Sequence, residues 1–326
     1  MRIGVYSPNW IGDSVISIPF IQSLKDQEPD AEITIICKEW VTGVYDNHPA
    51  VNEIIPLSKT KLTGFINIIK TGRDLREYDF DRFYTLTDSF RSALILWLSN
   101  AQRRHGYSSQ MRSMFLTDAM PRPNKNIHRS KKYLNLIQSG LTTLDIPKIH
   151  LSNSESKWAE KEMAKLELSK PVAIFPFSVA NNRTIPNEIL IKWIDQTNND
   201  YLVFGSKNDI ERGETLINVC NGNSIRSICG GYSLRESIAL ISVCKYALAT
   251  DSGLGHVSAA LGLPTVSFFG VGIDAVTGPV GENATIIKYC SPCLGDLCKD
   301  HDGNRSCIKE ISRFDIEVAV NRITNQ

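Results

Sequence analysis

The first forty residues alternate hydrophobic and polar positions in the order strand, loop, helix, strand. Residues 2–6 are apolar and β-prone, and residues 14–27 repeat apolar side chains at helical spacing. Pro29 and Asp30 end that predicted helix, and residues 32–37 form a second apolar run. This order predicts a β-α-β unit, and therefore a parallel sheet with a right-handed crossover.

The same pattern continues along the chain and restarts in its second half. In the first half, apolar runs lie at 53–57 and 80–86, and helices are predicted near 89–100 and 129–145. A polar stretch near 150–168 indicates a linker region. The strands predicted after it are 171–176, 201–205, 225–229, 246–250 and 265–270, and the helices are 186–198, 209–220, 234–244, 253–262 and about 312–324.

Two consecutive α/β runs indicate two doubly wound, Rossmann-like domains that face a central cleft. We assign residues 1–160 to the first domain and residues 161–326 to the second. The last helix is isolated in the pattern, so it is a candidate to pack back on the first domain.

Composition and length narrow the function classes. The chain has 326 residues, a length typical of about two domains, and 42% of them are hydrophobic. A net charge of +1 does not favour a nucleic-acid binder, because such domains are usually strongly basic. No run approaches the ~20 apolar residues of a membrane span, and residues 1–6 do not begin a signal peptide. We expect a cytoplasmic protein with mostly reduced thiols.

The loop Ser7–Ser14 (SPNWIGDS) follows the first strand and opens the first helix, where ligands bind in open α/β sheets. It lacks the glycine fingerprint of dinucleotide-binding proteins. Gly12 permits a tight turn or a close approach of the backbone to a ligand. Asp13 is either an N-cap, as Ser14 could also be, or a general base that takes a proton from an acceptor hydroxyl.

A second loop, Ala249–His256 (ATDSGLGH), ends a predicted strand and begins a helix rich in small residues. Free backbone N–H groups at such a helix start bind anions, and small residues let a pyrophosphate come close. The candidate phosphate-binding residues are Asp251, Ser252, Gly253 and His256. The alternative is a capped helix with a packed histidine.

A third loop, Phe177–Pro186 (FSVANNRTIP), also follows a predicted strand. Arg183 in this loop could pair with a diphosphate in bidentate fashion and stabilise a leaving group. Ser178 belongs to the same loop and is a second candidate for the donor site. The alternative for Arg183 is a solvated surface side chain.

A basic stretch runs from Arg91 to Lys132, with nine Lys and Arg residues and only Asp118 to oppose them. Such asymmetry indicates an anionic acceptor or an anionic membrane surface, although a solvated basic face has the same composition. The candidate acceptor contacts are Arg91, Arg104 and Arg112. Aromatic residues are sparse in this stretch, so nucleic acid is the weaker interpretation.

Four of the eight cysteines fall close together, at Cys290, Cys293, Cys298 and Cys307. Cys-x2-Cys with two further cysteines nearby fits a tetrahedral thiolate site for structural zinc or iron. A set of reduced thiols and a pair of disulfides formed after purification are the alternatives. A metal at these cysteines would staple the loop and have no direct role in catalysis.

Seven segments carry a combined pattern: Asn9–Asp13, His48–Leu57, Asp88–Leu94, Arg104–Tyr107, Met111–Arg112, Thr250–His256 and Phe268–Gly270. Together they resemble glycosyltransferase family 9, the heptosyltransferase family, over nearly the whole chain. The first and third segments place the resemblance nearest to the branch that adds the second heptose of the lipopolysaccharide core. The combination is specific, although no single segment is.

The resemblance implies a glycosyltransferase B fold, an acceptor-binding first domain and a sugar-nucleotide-binding second domain. It implies inverting transfer from ADP-L-glycero-β-D-manno-heptose to a hydroxyl of an anionic glycolipid, the lipopolysaccharide inner core, at the cytoplasmic face of the inner membrane. No cofactor is needed in that scheme. The family's glycine-aspartate pair falls on Gly12 and Asp13, with Asp13 as the base, and its donor loop falls on Asp251–His256.

One departure from the family lies after the first strand of the second domain. The family often has Lys-Arg-Trp-Pro or Lys-His-Trp-Pro there, and this chain has Arg183-Thr184-Ile185-Pro186. Two other functions therefore stay open. One is a transferase of the same fold that uses another nucleotide sugar, and the other is a non-catalytic protein that binds sugar nucleotides or lipid. An NAD-dependent oxidoreductase is a poorer third interpretation, because the glycine fingerprint is missing.

Overall fold

The computed structural model describes residues 1–138, 145–180, 183–220, 224–270, 272–289 and 306–324, except for the side chains of 306 and 307. The chain divides into two compact units, Met1–His150 and Leu151–Gln326. Each unit holds a parallel sheet of six strands with helices beside it. Among the described residues, no helix combines the length and the apolar character needed to cross a bilayer.

The first unit alternates strands and helices as its sequence pattern predicts. Its strands are β1 Arg2–Tyr6, β2 Glu32–Lys38, β3 Glu53–Leu57, β4 Arg82–Thr85, β5 Arg103–Tyr107 and β6 Asp118–Met120. Its helices are α1 Ile11–Ile16, α2 Ile18–Gln27, α3 Phe65–Asp74, α4 Phe90–Leu98 and α5 Arg129–Asn135, and 3-10 turns lie at Glu39–Val44, Leu75–Tyr78 and Arg112–Phe115. The strand order is β3-β2-β1-β4-β5-β6, and every neighbouring pair is parallel.

The apolar run from 14 to 27 forms two helices rather than the single helix that its periodicity predicts. Pro19 has no N–H to donate to Val15, so the helical hydrogen-bond ladder breaks at Ser17 and restarts in α2. Both helices still bury their apolar faces. The first unit ends at residue 150, and the second begins at residue 151.

The second unit repeats the architecture. Its strands are β7 Val172–Phe175, β8 Tyr201–Val203, β9 Ile225–Ser227, β10 Ala247–Thr250, β11 Thr265–Phe269 and β12 Ala284–Lys288. Its helices are α6 Asn153–Lys165, α7 Asn187–Ile194, α8 Ile210–Val219, α9 Leu234–Ser242, α10 Gly253–Ala260, α11 Asp274–Thr277, α12 Ser306–Lys309 and α13 Arg313–Thr324, with a 3-10 turn at Lys207–Asp209. The strand order is β12-β11-β10-β7-β8-β9. Two doubly wound α/β units confirm the fold class predicted from the sequence.

Helices at the two ends of the second unit pack against its own elements. The last helix, α13, contacts β11, β12 and α7. The first helix, α6, contacts α9, and Glu155 accepts two hydrogen bonds from the Arg235 guanidinium, at 2.5 and 3.0 Å. These bonds from Arg235, with further bonds from Ser152, lower the pKa of Glu155 to about 2.

Candidate active site

Each sheet reverses its strand order once, and ligands in open α/β sheets bind at the carboxyl ends of the strands where this reversal occurs. In the first unit the reversal lies between β1 and β4, and in the second unit it lies between β7 and β10. The loops that follow these four strands contain most of the residues that the sequence nominates for catalysis and donor binding. Each unit therefore has one candidate site, and each is described by itself.

Asp13 lies in the first turn of α1, directly after the β1 loop. The N-cap of this helix is Trp10, so the alternative that Asp13 or Ser14 caps the helix is wrong. The Asp13 carboxylate instead accepts a hydrogen bond from Arg129 of α5, with Nη1 at 2.5 Å from Oδ1. Burial opposes the charge of Arg129, but Asp13, together with Tyr133 and Asp88, outweighs it, so the pKa of the guanidinium is raised.

A cavity of about 210 Å³ opens beside Asp13. Its walls come from the loop after β1, the loop after β4 and helix α5, through Pro8, Asn9, Trp10, Asp13, Leu86, Thr87, Asp88, Arg129, Lys132 and Tyr133. Asp13 keeps 18% of its side-chain surface exposed, so a ligand in the cavity can reach its carboxylate. A carboxylate held by one cation and open to a cavity has the geometry expected of a general base.

A second carboxylate, Asp88, faces the same cavity and is surrounded by cations. Lys132 Nζ lies 2.6 Å and Arg122 Nη2 lies 3.3 Å from Asp88 Oδ2, and Arg112 Nη2 lies 3.7 Å from Oδ1. Three cations around one carboxylate leave an excess of positive charge at this wall of the cavity. The wall is therefore suited to an anionic ligand.

The three predicted acceptor contacts differ in their burial and in their position in the fold. Arg112 is fully buried, and its guanidinium donates to the backbone oxygens of Tyr107, Thr87 and Ser89. It therefore holds the loop that carries Asp88. This arrangement favours a positioning role for Arg112.

Arg104 lies near the amino end of β5, away from the carboxyl ends of the strands. Its guanidinium donates to the backbone oxygens of Phe115 and Ala101. Arg91, by contrast, is exposed in the first turn of α4. Burial raises the pKa of Tyr6, the last residue of β1, to about 12, and the Arg91 charge acts on that tyrosine in the opposite direction. Of the three, Arg91 is placed to meet a ligand.

In the second unit, the neighbouring strands β7 and β10 bring their following loops together. Arg183 Nη1 lies 3.4 Å from Asp251 Oδ2, and the hydroxyl of Ser178 donates to the backbone oxygen of Asp251 at 3.3 Å. The hydroxyl of Thr250 donates to the backbone oxygen of Arg183. Arg183 is therefore anchored at the strand ends, which differs from the solvated side chain of the alternative interpretation.

The start of α10 presents backbone N–H groups beside this arginine. Ser252 is its N-cap, but no side chain caps the helix, and the Ser252 hydroxyl is buried without a hydrogen-bond partner among the described residues. Gly253 and Gly255 open the helix, and a Cβ on Gly255 would come within 3.0 Å of the Ala249 Cβ. His256 is buried in the same turn. An uncapped helix start next to a cation suits a phosphate group.

The cysteine group cannot be placed in this fold. Cys290, Cys293 and Cys298 lie outside the described residues, as does the side chain of Cys307. Within the described part of the chain, no three His, Cys, Asp or Glu side chains lie close enough to hold a metal ion. A structural metal at these cysteines stays a prediction.

Sequence reasoning missed Arg129, Lys132 and Asp88 as individual site residues. The two cations were visible only as members of a long basic stretch, and Asp88 only as part of a family segment. Asp88 could have been predicted as a site residue from the sequence, since it closely follows the end of β4. Arg129 had none, because its partner Asp13 is 116 positions away along the chain.

Known proteins resemble this chain over most of its length. The model of glycosyltransferase family 9 (heptosyltransferase) matches residues 68–302. Lipopolysaccharide heptosyltransferase 2 of Salmonella typhimurium is 27% identical over 316 residues, covering 88% of this chain and 88% of that protein. The protein of the same name from Escherichia coli K12 is 28% identical over 310 residues, with the same coverage of 88% of each chain.

Solved structures give the same result. The structure of E. coli ADP-heptose lps heptosyltransferase II matches with a TM-score of 0.86 and 25% identity, covering 100% of this chain and 99% of that one. A family 9 glycosyl transferase from Veillonella parvula shares the fold with a TM-score of 0.86 at 20% identity, covering 99% and 97%. These matches confirm the predicted glycosyltransferase B fold. Since the family model also spans most of the sequence, the chain belongs to glycosyltransferase family 9 (heptosyltransferase) and is a glycosyltransferase.

Proposed function

We propose that this enzyme transfers a heptose from ADP-L-glycero-β-D-manno-heptose to a hydroxyl of the lipopolysaccharide inner core, with inversion at the anomeric carbon. The observation that carries the proposal is the Asp13 carboxylate, which opens into a cavity at the strand reversal of the first unit and is held by Arg129. Relatives named lipopolysaccharide heptosyltransferase 2, at 27% and 28% identity, support the donor sugar and the acceptor class.

The reaction is a single displacement. The acceptor hydroxyl attacks the anomeric carbon of the heptose while the bond from that carbon to the ADP oxygen breaks, and ADP leaves with the electron pair. Asp13 takes the hydroxyl proton as the new bond forms. Arg129 holds the carboxylate in position beside the cavity through its 2.5 Å hydrogen bond to Oδ1. Attack from the side opposite to the leaving group inverts the anomeric centre.

The second unit binds the donor. Arg183 and the backbone N–H groups at Ser252 and Gly253 hold the diphosphate and stabilise the charge that develops on it. Asp251, 3.4 Å from Arg183, acts as a positioning residue for the guanidinium. These fixed charges and dipoles supply the positive potential, so the scheme includes no divalent metal.

Three further residues complete the donor assignment. Ser178 donates to the backbone oxygen of Asp251 and so ties the Arg183 loop to the start of α10. His256 lies in the first turn of α10 and contributes to the phosphate site. In the first unit, Gly12 precedes Asp13 at the start of α1 and leaves space for a ligand at that turn.

The acceptor meets the cationic side of the first unit. Its anionic groups face Arg91 and the cations that surround Asp88. Arg112 acts through the loop that it holds rather than through direct contact. The guanidinium of Arg104 is used by two backbone oxygens, so its contribution to the acceptor site is indirect as well.

A second candidate function is transfer of a different nucleotide sugar. The observation that favours it is the sequence Arg183-Thr184-Ile185-Pro186, which replaces the family's lysine and tryptophan beside the proposed diphosphate site. A change at this loop reshapes the pocket that reads the sugar or the base. The donor therefore has to be measured rather than assumed.

The test is release of nucleoside diphosphate from a panel of donors that includes ADP-heptose, ADP-glucose and UDP-glucose. Each donor is incubated with and without a lipid A core acceptor that bears Kdo or one heptose. Release that requires both ADP-heptose and acceptor supports the main proposal. Release from another donor alone selects the second candidate, and binding of ADP-heptose without release points to a different acceptor.

A further inference from the structure

Helix α4 and the 3-10 turn Arg112–Phe115 expose large apolar side chains on one surface of the first unit. The exposed fractions are 41% for Phe90, 49% for Trp97, 88% for Met111 and 75% for Met114. The ring of Phe115 lies 5.2 Å from that of Phe90 and 5.6 Å from that of Trp97, so the turn and the helix form one continuous surface. Contiguous apolar surface of this kind marks an interaction site more often than scattered single residues do.

The backbone around Met111 holds this side chain outward. Gln110 and Met111 both have left-handed φ angles, of 47° and 55°, a conformation that non-glycine residues adopt at an energetic cost. The Gln110 side chain also accepts a hydrogen bond from the Phe90 N–H, which ties the strained turn to the first residue of α4. Met111 is therefore presented next to the start of α4 by a specific local structure.

Helix α3 extends the apolar surface. Its first residues Phe65 and Ile66 are 66% and 80% exposed. The helix packs closely on α4, since a Cβ on Gly72 would come within 2.5 Å of the Leu98 Cβ. We call the exposed set Phe65, Ile66, Phe90, Trp97, Met111 and Met114 the α3–α4 apolar surface. Both helices follow parallel strands, so both begin at the edge of the sheet that carries Asp13.

The two segments that supply this surface are basic and contain no acidic residue. Residues 54–73 include four Lys or Arg, all exposed, residues 89–117 add the exposed Arg91 and Arg103, and neither segment has Asp or Glu. Lys59, Lys61 and Arg91 are exposed. A second copy of this chain would place like charges opposite each other here, whereas an anionic surface would be attracted.

We propose that the α3–α4 apolar surface docks the enzyme on an anionic phospholipid bilayer. The apolar side chains enter the level of the headgroups and the surrounding lysines and arginines contact lipid phosphates. The proposal rests on the proposed function, because an enzyme docked in this way would receive its lipid-linked acceptor from the bilayer at the cavity of Asp13. Phe90 lies two residues after Asp88, and Met111 directly precedes Arg112, so the docked surface adjoins that cavity.

The binding test is co-sedimentation of the full chain with vesicles that contain no acceptor. Vesicles of phosphatidylethanolamine and phosphatidylglycerol are compared with vesicles of phosphatidylcholine. The variant combines Ile66→Ser, Met111→Ser and Met114→Ser, three residues at least 75% exposed, so that folding is little affected. The matched control replaces Phe314 and Val318 of α13, which are 70% and 51% exposed, by Ser.

We expect the wild type to bind the anionic vesicles. The affinity should fall at least about tenfold in the triple variant and stay unchanged in the control. The double variant Lys59→Gln, Lys61→Gln should bind the anionic vesicles about fivefold more weakly per lysine removed. Added salt should also weaken binding to these vesicles. Failure of the wild type to co-sediment, or equal binding by the triple variant, would overturn the proposal. A dimer in solution that the triple variant dissociates would overturn it as well, because the surface would then be a subunit interface.

Activity separates this proposal from the proposed function. With the acceptor embedded in anionic vesicles, the triple variant transfers sugar more slowly than the wild type, and with a deacylated water-soluble acceptor the two rates agree. Equal losses on both acceptors would contradict a docking role. Vesicle binding by a wild type that transfers heptose to neither acceptor would remove the proposed function and leave the docking surface supported.

Discussion

Replacing Asp13 by Asn tests the proposed base directly. The amide keeps the size of the carboxylate and can still accept a hydrogen bond from Arg129, but it cannot take a proton from the acceptor. General base catalysis contributes about 10²–10⁴-fold to rate, so we expect kcat to fall by about that factor. The affinity for donor is retained, because the residues proposed to hold the diphosphate belong to the second unit.

The magnitudes separate a catalytic effect from a folding effect. A loss of 10²–10⁴-fold corresponds to about 2.7–5.4 kcal/mol of activation free energy. The ion pair that Asp13→Asn weakens is partly exposed, with 36% of the Arg129 side chain accessible, and such pairs contribute about 0–1 kcal/mol to stability. That corresponds to a decrease in Tm of about 2–4 °C or less, so a folded variant should remain at assay temperature.

The assay is acceptor-dependent ADP release under saturating donor, together with donor affinity by calorimetry and Tm. The control is Asp26→Asn, the same chemical change at an exposed position of α2, where the carboxylate accepts a hydrogen bond of 2.8 Å from Gln22. It should leave kcat unchanged. If Asp13→Asn retains kcat within about tenfold of the wild type, the reasoning is refuted, since the loss would lie below the range for a general base.

Three further predictions follow from the same contacts. Arg183→Ala should weaken ADP binding about 10- to 100-fold, the range for a lost charge-assisted hydrogen bond, and unchanged affinity in calorimetry would contradict the donor assignment. Arg129→Met should lower kcat more than it raises the KM for donor, and Arg129→Lys should recover part of the rate, whereas equal losses in both variants would argue against a positioning role. Glu155→Gln should lower the Tm above pH 4.5, because Arg235 depresses the pKa of Glu155 in the folded state to about 2. This loss of Tm should disappear as the pH falls toward 2. The control Glu160→Gln, at an exposed position of the same helix, should show no such pH dependence.

The sequence predicted the strands correctly where they are apolar on both faces. Strands such as β2 and β7 are almost wholly buried and appear in the sequence as continuous apolar runs. The strands β6 and β12, at sheet edges, and β5, next to an edge, were missed, because β5 reads Arg-Arg-His-Gly-Tyr and β6 has three residues. Edge strands bury less surface, so their sequences need less apolar character.

The sequence by itself determined the two α/β units, the family and the residue types that follow the strand ends, because burial and turn chemistry act over short stretches of chain. Tertiary structure decided which of those residues act together. The strand order places the loops after β1 and β4 side by side, α5 brings Arg129 to Asp13, and packing buries Arg112 against the backbone near Asp88. These contacts join positions far apart along the chain, so local pattern carries no signal of them and only the folded packing sets them.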